Sequence, residues 1–304
     1  MVDGKSLLRG LREVLNEASD SEYLDDRTSY GYLWQAAIEF TDRTSSLTAT
    51  QDITTVANQQ NYTLNADYLR MYLKNMDNNY YLKYNDGSAD TFILFKEKED
   101  IIYQNSTASQ SIPNSFYIED DVLDSRIQGN TASANGGSTG GESVLTDTVN
   151  SPFADVSGGD VVHNGTDSSD GVVLSNTSNS ALVTALFDGT NNDWTAGDSY
   201  VIQPQARHRI VLSPPSSTSA HTITVYYVQR PAPVFSDYGT YRIPPQYFQA
   251  LVFYAAWLYK YRDRAPNFGD RYYQYFDNQV RKSSVSVNRS LKRKGFKVNF
   301  RKRP

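Results

Sequence analysis

The stretch NTASANGGSTGGES (130–143) interrupts the composition of the chain. It holds no aromatic and no large aliphatic residue, and it reads as a small polar linker with no reason to pack. Beyond it, GGDVVHNGTDSSDGVVLSNTSNSALVTALFDGTNNDWTAGDSYVIQ (158–203) carries four or five short apolar runs separated by Gly, Asn and Asp turns. That is the pattern of a small all-β unit, a sandwich or a barrel. Residues 125–204 are therefore expected to form an inserted β domain, with 1–124 and 205–280 as its host. Replacing 130–202 by a short Gly/Ser bridge is expected to leave helicity and solubility largely intact.

On the N-terminal side, Leu7, Leu8, Leu11, Val14, Leu15 and Ala18 recur at helical spacing, which predicts a helix over 6–18 with Ser6 as its N-cap. Asp25 and Asp26 precede a second stripe, Tyr30, Leu33, Trp34, Ala37 and Ile38. From about Thr48 the period changes to two. QDITTVANQQNYTLNADYLRMYLKNM (51–76) and YYLKYNDGSADTFILFKEKED (80–100) are rich in strand formers and broken by turn residues such as Asn85, Asp86 and Gly87. Lys96–Asp100 reads as a mixed-charge surface stretch ahead of a further strand, IPNSFYIED (112–120). On the C-terminal side, RHRIVLSPP (207–215) and HTITVYYVQRPAPV (221–234) are strand-like, and IPPQYFQALVFYAAWLYKYRD (243–263) is the longest helical pattern, opened by Pro244 or Pro245. DRYYQYFDNQVRKS (270–283) predicts one more helix. The fold class expected is α+β: a helical module from the N- and C-terminal helices, a β-rich body between them, the inserted all-β domain and an extended C-terminal arm.

The chain of 304 residues has no cysteine and three histidines, which leaves no disulfide, thiolate site or cysteine nucleophile and little for a zinc site. No apolar run approaches the roughly 20 residues that cross a bilayer, and the charged start MVDGKSLLRGLREVLNEAS is unlike a signal peptide. A soluble protein with no membrane partner is expected. Catalytic patterns match only in letters. Gly136, Gly137, Ser138, Thr139 and Gly140 spell G-x-S-x-G without the strand and helix that a nucleophile elbow needs. Gly4, Lys5 and Ser6 resemble the end of a P-loop whose first glycine would precede Met1. Asp188, Asn191, Asn192 and Asp193, or Asp167 and Asp170, lack the spacing of a calcium loop and read as turn residues. Glu119, Asp120 and Asp121 would point to alternate faces of a strand, and a solvated turn is the expectation for them. For His208, between Arg207 and Arg209, a cross-strand charge contact is expected. No enzyme, cofactor or metal is expected.

The charges are sorted along the chain. Arg281–Pro304 contains ten Lys or Arg and no Asp or Glu, so the rest holds 19 basic and 34 acidic residues, a net −15. The end, SLKRKGFKVNFRKRP (290–304), has too few apolar residues for a core of its own, yet Phe296, Val298 and Phe300 alternate as on one face of a strand added to a partner's sheet. It is expected to be a docking arm over 281–304, carried by Leu291, Lys292, Arg293, Lys294, Phe296, Lys297, Val298, Phe300, Arg301, Lys302 and Arg303. The alternative reading is a nucleic-acid-binding tail.

Three stretches carry a resemblance. TTVANQQNYTLNADYLRMYLK (54–74), ITVYYVQRPAPV (223–234) and IPPQYFQALVFYAAWLYKYRD (243–263) resemble segments of the head-to-tail adaptor, or connector, proteins of tailed bacteriophages, with Asn65 where that family usually has proline. GDVVHNGTDSSDGVV (159–173) with GTNNDWTAGDSYVI (189–202) resembles a β module common in phage structural proteins. The resemblance implies a structural subunit of the virion neck, assembled in the host cytoplasm. Its copies would form a ring of about twelve beneath the portal protein, with genomic DNA passing through the channel and a tail or nozzle protein, or fibres, below. The arm would dock on the portal. A tail-associated glycan-binding or glycan-degrading protein is the third reading, and no residue cluster supports it.

Overall fold

The computed structural model describes residues 3–17, 24–75, 77–104, 110–121, 126–262 and 266–291. In chain order come α1 (Gly4–Leu15), α2 (Asp26–Thr44), β1 (Thr48–Thr54), β2 (Asn61–Thr63), β3 (Tyr68–Met71), β4 (Tyr81–Asn85), β5 (Asp90–Phe95), α3 (Lys98–Gln104) and β6 (Ser115–Asp121). There follow β7 (Ile127–Thr131), β8 (Ser143–Thr146), β9 (Val161–Asn164), β10 (Ser169–Ser178), β11 (Ala181–Phe187), β12 (Ser199–Gln203), β13 (Arg207–Ser213), β14 (Thr222–Gln229), α4 (Phe248–Arg262) and α5 (Pro266–Leu291). The protein is α+β, as the two periods predict.

Local chemistry moves several boundaries. Asp3, not Ser6, caps α1, because its carboxylate accepts the Ser6 backbone N–H at 2.8 Å and so places Ser6 inside the first turn. Asp25 caps α2 through the N–H of Thr28. Lys98–Gln104 is helical, and Glu97–Asp100 is exposed, as the mixed charge predicts. Pro245 opens a 3-10 turn that leads into α4. The last helix runs on through Arg281–Leu291, which the sequence assigned to an extended arm. No proline or glycine lies between Gly269 and Gly295, so nothing in the sequence stops it earlier.

The body is an eight-stranded sheet ordered β1-β14-β4-β5-β6-β13-β2, with β3 beside β14. Its core is aromatic and aliphatic, with Tyr84, Phe116, Ile210 and Val225 fully buried. The sheet curls until its edges meet, and a side chain closes the gap: the Gln51 amide donates to Thr63 O (3.2 Å) and accepts the Asn65 N–H (2.9 Å). A second sheet, β7-β12-β9-β10-β11-β8, takes all its strands from 127–203.

The polar stretch 130–143 is part of that second sheet and not a linker. Asn130 and Thr131 end β7; Ala132 N–H then reaches Asp198 O beside β12, and Ser133 N–H reaches Thr146 O on β8, so the chain ties the two edge strands together. Gly136 N–H donates to Trp194 O, and the Asn135 side chain accepts the Ala196 N–H. Small polar residues pack here because they supply hydrogen bonds to strand edges and room above the buried Trp194, work for which hydrophobic side chains are unsuited.

α1, α2, α4 and α5 pack around Leu7, Leu11, Leu33, Phe40 and Ala255. The same cluster takes in Ala185, and Val172, Leu174 and Phe187 pack against it from the second sheet. The joint is Trp34 of α2. Its Nε1–H donates to Pro231 O at 3.0 Å, its ring meets Phe235 edge-on at 6.1 Å, and Phe235 meets Phe187 at 6.3 Å. The Arg230 guanidinium lies 5.8 Å from the indole. Residues 132–202 have a core of their own around Leu145, Phe153, Trp194 and Tyr200, and they also meet the host at this joint, so removing 130–202 would strip one side of Phe235.

Gly159 allows the indole to come this close. Its φ is +101°, and a Cβ there would stand 2.7 Å from Trp34 Cη2. Gly197 has the same backbone region (φ +97°) and open space around it. In urea unfolding, Gly197→Ala should cost about 1 kcal/mol of backbone strain. Gly159→Ala should cost a further 1–3 kcal/mol, roughly, for the clash. Equal costs would mean that the Trp34 contact does not join the units.

Candidate interaction surface

The α4–α5 hairpin carries a belt of aromatic side chains. Tyr254 meets Phe276 at 4.7 Å, Trp257 meets Tyr273 at 5.1 Å, and Phe253 meets Tyr275 at 5.2 Å between ring centroids. Arg43 of α2 fastens the belt: its Nη2 donates to the Tyr273 hydroxyl at 2.9 Å and its guanidinium lies 5.5 Å from the Phe276 ring. The rim stays open, with Tyr261 67% and Tyr275 45% exposed. The sequence signalled this surface only through its tyrosine content and the helical stripe of 251–259. α5 is 26 residues long, about 39 Å of helix, against 15 residues in α4. Leu291 ends it. The other arm positions, Lys292, Arg293, Lys294, Phe296, Lys297, Val298, Phe300, Arg301, Lys302 and Arg303, lie outside the described residues.

The acidic triplet sits in a strand, not in a turn. In the antiparallel β6–β13 pair, Glu119, Asp120 and Asp121 stand opposite Arg209, His208 and Arg207. Arg209 holds Glu119 at 2.6 Å and Asp121 at 3.5 Å, His208 Nδ1 lies 3.1 Å from Asp120, and Lys98 of α3 reaches Glu119 at 2.7 Å. The hydrogen bond from Lys98, joined by Arg209, holds the Glu119 carboxyl below its ordinary value. His208 thus makes the cross-strand contact that its flanks suggested.

None of the catalytic patterns acquires catalytic geometry. Thr139 and Glu142 close a turn where the G-x-S-x-G letters fall, and Gly4–Ser6 begin α1. Asp188 pairs with Arg27 at 2.8 Å, Asn192 accepts the Gly189 N–H, and Asp193 accepts from Ser143 and from Trp194 N–H. Asp167 accepts from Asn164 and Thr190, and Asp170 from His163 when that ring nitrogen carries a proton. No group of three His, Cys, Asp or Glu that could hold a metal ion occurs among the described residues. No described helix is long and apolar enough to cross a membrane. Among known proteins, no family model and no curated sequence matches the chain.

The ladder has a pH signature. Because the Glu119 pKa is lowered in the folded state, its contribution is present above the unfolded value of 4.5 and is lost as pH falls through the folded value. Glu119→Gln should cost about 1–2 kcal/mol at pH 7. The difference from wild type in thermal or urea unfolding should vanish toward pH 2; a difference unchanged from pH 7 to pH 2 would show that the ion pairs contribute nothing.

Proposed function

We propose that this chain is a structural head-to-tail adaptor of a tailed-bacteriophage virion, a ring-forming subunit that docks on the portal by its C-terminal arm. In this reading α1, α2, α4 and α5 form the adaptor's helical module, the eight-stranded sheet its body, and 125–204 an inserted domain. The observation that carries the reading is the meeting of the three resembling stretches. β14 pairs with β1 and with β3, Asn65 donates to the Tyr227 hydroxyl at 3.1 Å, and Arg230 N–H donates to Asp67 O at 2.6 Å. The connection 230–235 then feeds the third stretch into the helical cluster. Segments that resemble one family thus form a single packed unit.

The one departure has a local cause. Asn65 N–H donates to Gln51 at the seam of the body, a bond that proline cannot make. Its side chain meets a Tyr227 hydroxyl that burial, with Asp67, pushes up to about 12.

Sorted charge supports the same reading. A body of net −15 repels DNA phosphates and lets a duplex pass, while a basic arm suits an acidic groove on a partner. The proposed arm, 281–304, starts within α5 and continues past it in sequence. A chain ending at Leu291 keeps Pro266–Leu291 and should lose portal affinity. Within the full chain, reversing Lys292, Arg293 and Lys294 should slow association and change its salt dependence. Phe296→Ala with Phe300→Ala should hasten dissociation, each ring being worth about 2 kcal/mol as a buried anchor. Equal portal binding by the intact and shortened chains would contradict docking. DNA binding lost in parallel with the charges, at unchanged portal affinity, would favour the nucleic-acid reading.

A further inference from the structure

A cleft of about 540 Å³ opens where the two sheets meet the connection into α4, between the β2–β3 loop, residues 154–158, β10 and Gln229–Pro233. Its volume is that of a small-ligand site. Leu64 and Val156, both buried, with Leu174, Pro231 and Pro233 make an apolar floor, and two guanidiniums, Arg207 and Arg230, line it.

These two arginines are held unlike seven others of the fold. Arg9, Arg12, Arg27, Arg43, Arg70, Arg209 and Arg281 each have a carboxylate within ion-pair distance. Every hydrogen bond of Arg207 and Arg230 among the described residues goes to a neutral acceptor. Arg207 Nη2 donates to Asp155 O; Arg230 donates to Gln205 Oε1 (3.0 Å), Ala66 O (2.9 Å) and Gly158 O (3.4 Å). Carbonyl oxygens orient a guanidinium without neutralising it. Burial lowers the pKa of Arg230 against the opposing pull of Asp160 and Asp67, and Arg207 Nε is buried without an acceptor among the described residues.

The nearby carboxylates act on these guanidiniums through space, Asp160 and Asp67 on Arg230 and Asp160 on Arg207, but none of them is within ion-pair distance. Asp121 faces Arg207 in the β6–β13 register, yet it turns to Arg209 and to the Thr63 hydroxyl. Asp67, in the cleft wall, accepts from Tyr227 (2.8 Å) and Gln229 (2.6 Å). Asp160, behind it, accepts the N–H groups of Ser157 and Gln205.

We propose that this cleft is a carboxylate-binding site, with Arg207 and Arg230 as its cationic wall and the proline-rich floor taking the carbon chain of the ligand. A planar guanidinium matches a carboxylate. No lysine lines the cleft, and its floor favours an organic acid over inorganic phosphate. The carboxylate arrives either on a small free acid or on an acidic side chain of a partner protein. Because the walls come from both sheets, an occupant links them.

Titration calorimetry on the full chain tests this with three probes: glutarate, N-acetyl-Glu-Glu-amide and inorganic phosphate. At least one carboxylate probe should bind saturably below about 10 mM. Phosphate should be at least tenfold weaker. Arg207→Gln should reduce the affinity about tenfold or more, while Arg271→Gln, the same charge change at an exposed site on α5, should not. Arg230→Gln should abolish binding, and near-ultraviolet circular dichroism will tell that loss from unfolding; if that variant unfolds, the Arg207 comparison decides alone. Binding of the peptide without glutarate points to a protein-borne carboxylate, and binding of glutarate to a free acid. No saturable binding of either carboxylate, phosphate bound as tightly, or equal losses in Arg207→Gln and Arg271→Gln would overturn the proposal.

Discussion

Trp34 joins what the chain keeps apart in sequence. One indole touches the helix that carries it, the Arg230–Phe235 connection and the second sheet, through a hydrogen bond to Pro231, a ring contact with Phe235 and the bare backbone of Gly159. Each contact alone is modest, but together they half-bury a large side chain where three layers meet. The orientation of the second sheet relative to the helices follows from this joint, aided by the Arg27 ion pairs to Asp170 and Asp188.

Charge is used in two ways. On the outer surface it is paired, as in the β6–β13 ladder, where each acid faces a base. At the seam it is oriented by backbone carbonyls, with Asp67 and Asp160 nearby but neither within ion-pair distance, as at Arg207 and Arg230. The first arrangement stabilises a strand pair; the second keeps a cationic wall available.

The helices were legible in the sequence because their apolar stripes are long and periodic. Residues 26–44 and 248–262 bury the side chains that the 3.6 period marks, including Leu33, Ala37, Leu251 and Ala255. Strands within 48–95 were legible by their alternation. What composition could not reveal was packing without hydrophobes: NTASANGGSTGGES reads as slack, yet its backbone groups complete two strand edges. Nor could it show that α5 continues past Ser283, since weak helix formers such as Ser283, Ser284 and Ser286 continue a helix when nothing breaks it. The proposed arm was legible only as charge and alternation, and the seam cleft not at all, because Arg207 and Arg230 come together through the pairing of distant strands.

The adaptor reading stands or falls on assembly with a portal. Electron micrographs of the purified full chain mixed with the portal protein from the same genome provide the direct measurement. The account predicts rings of rotational symmetry stacked coaxially on portal rings, with the ring layer absent when the chain ends at Leu291. Portal rings that remain bare beside the intact protein would contradict it.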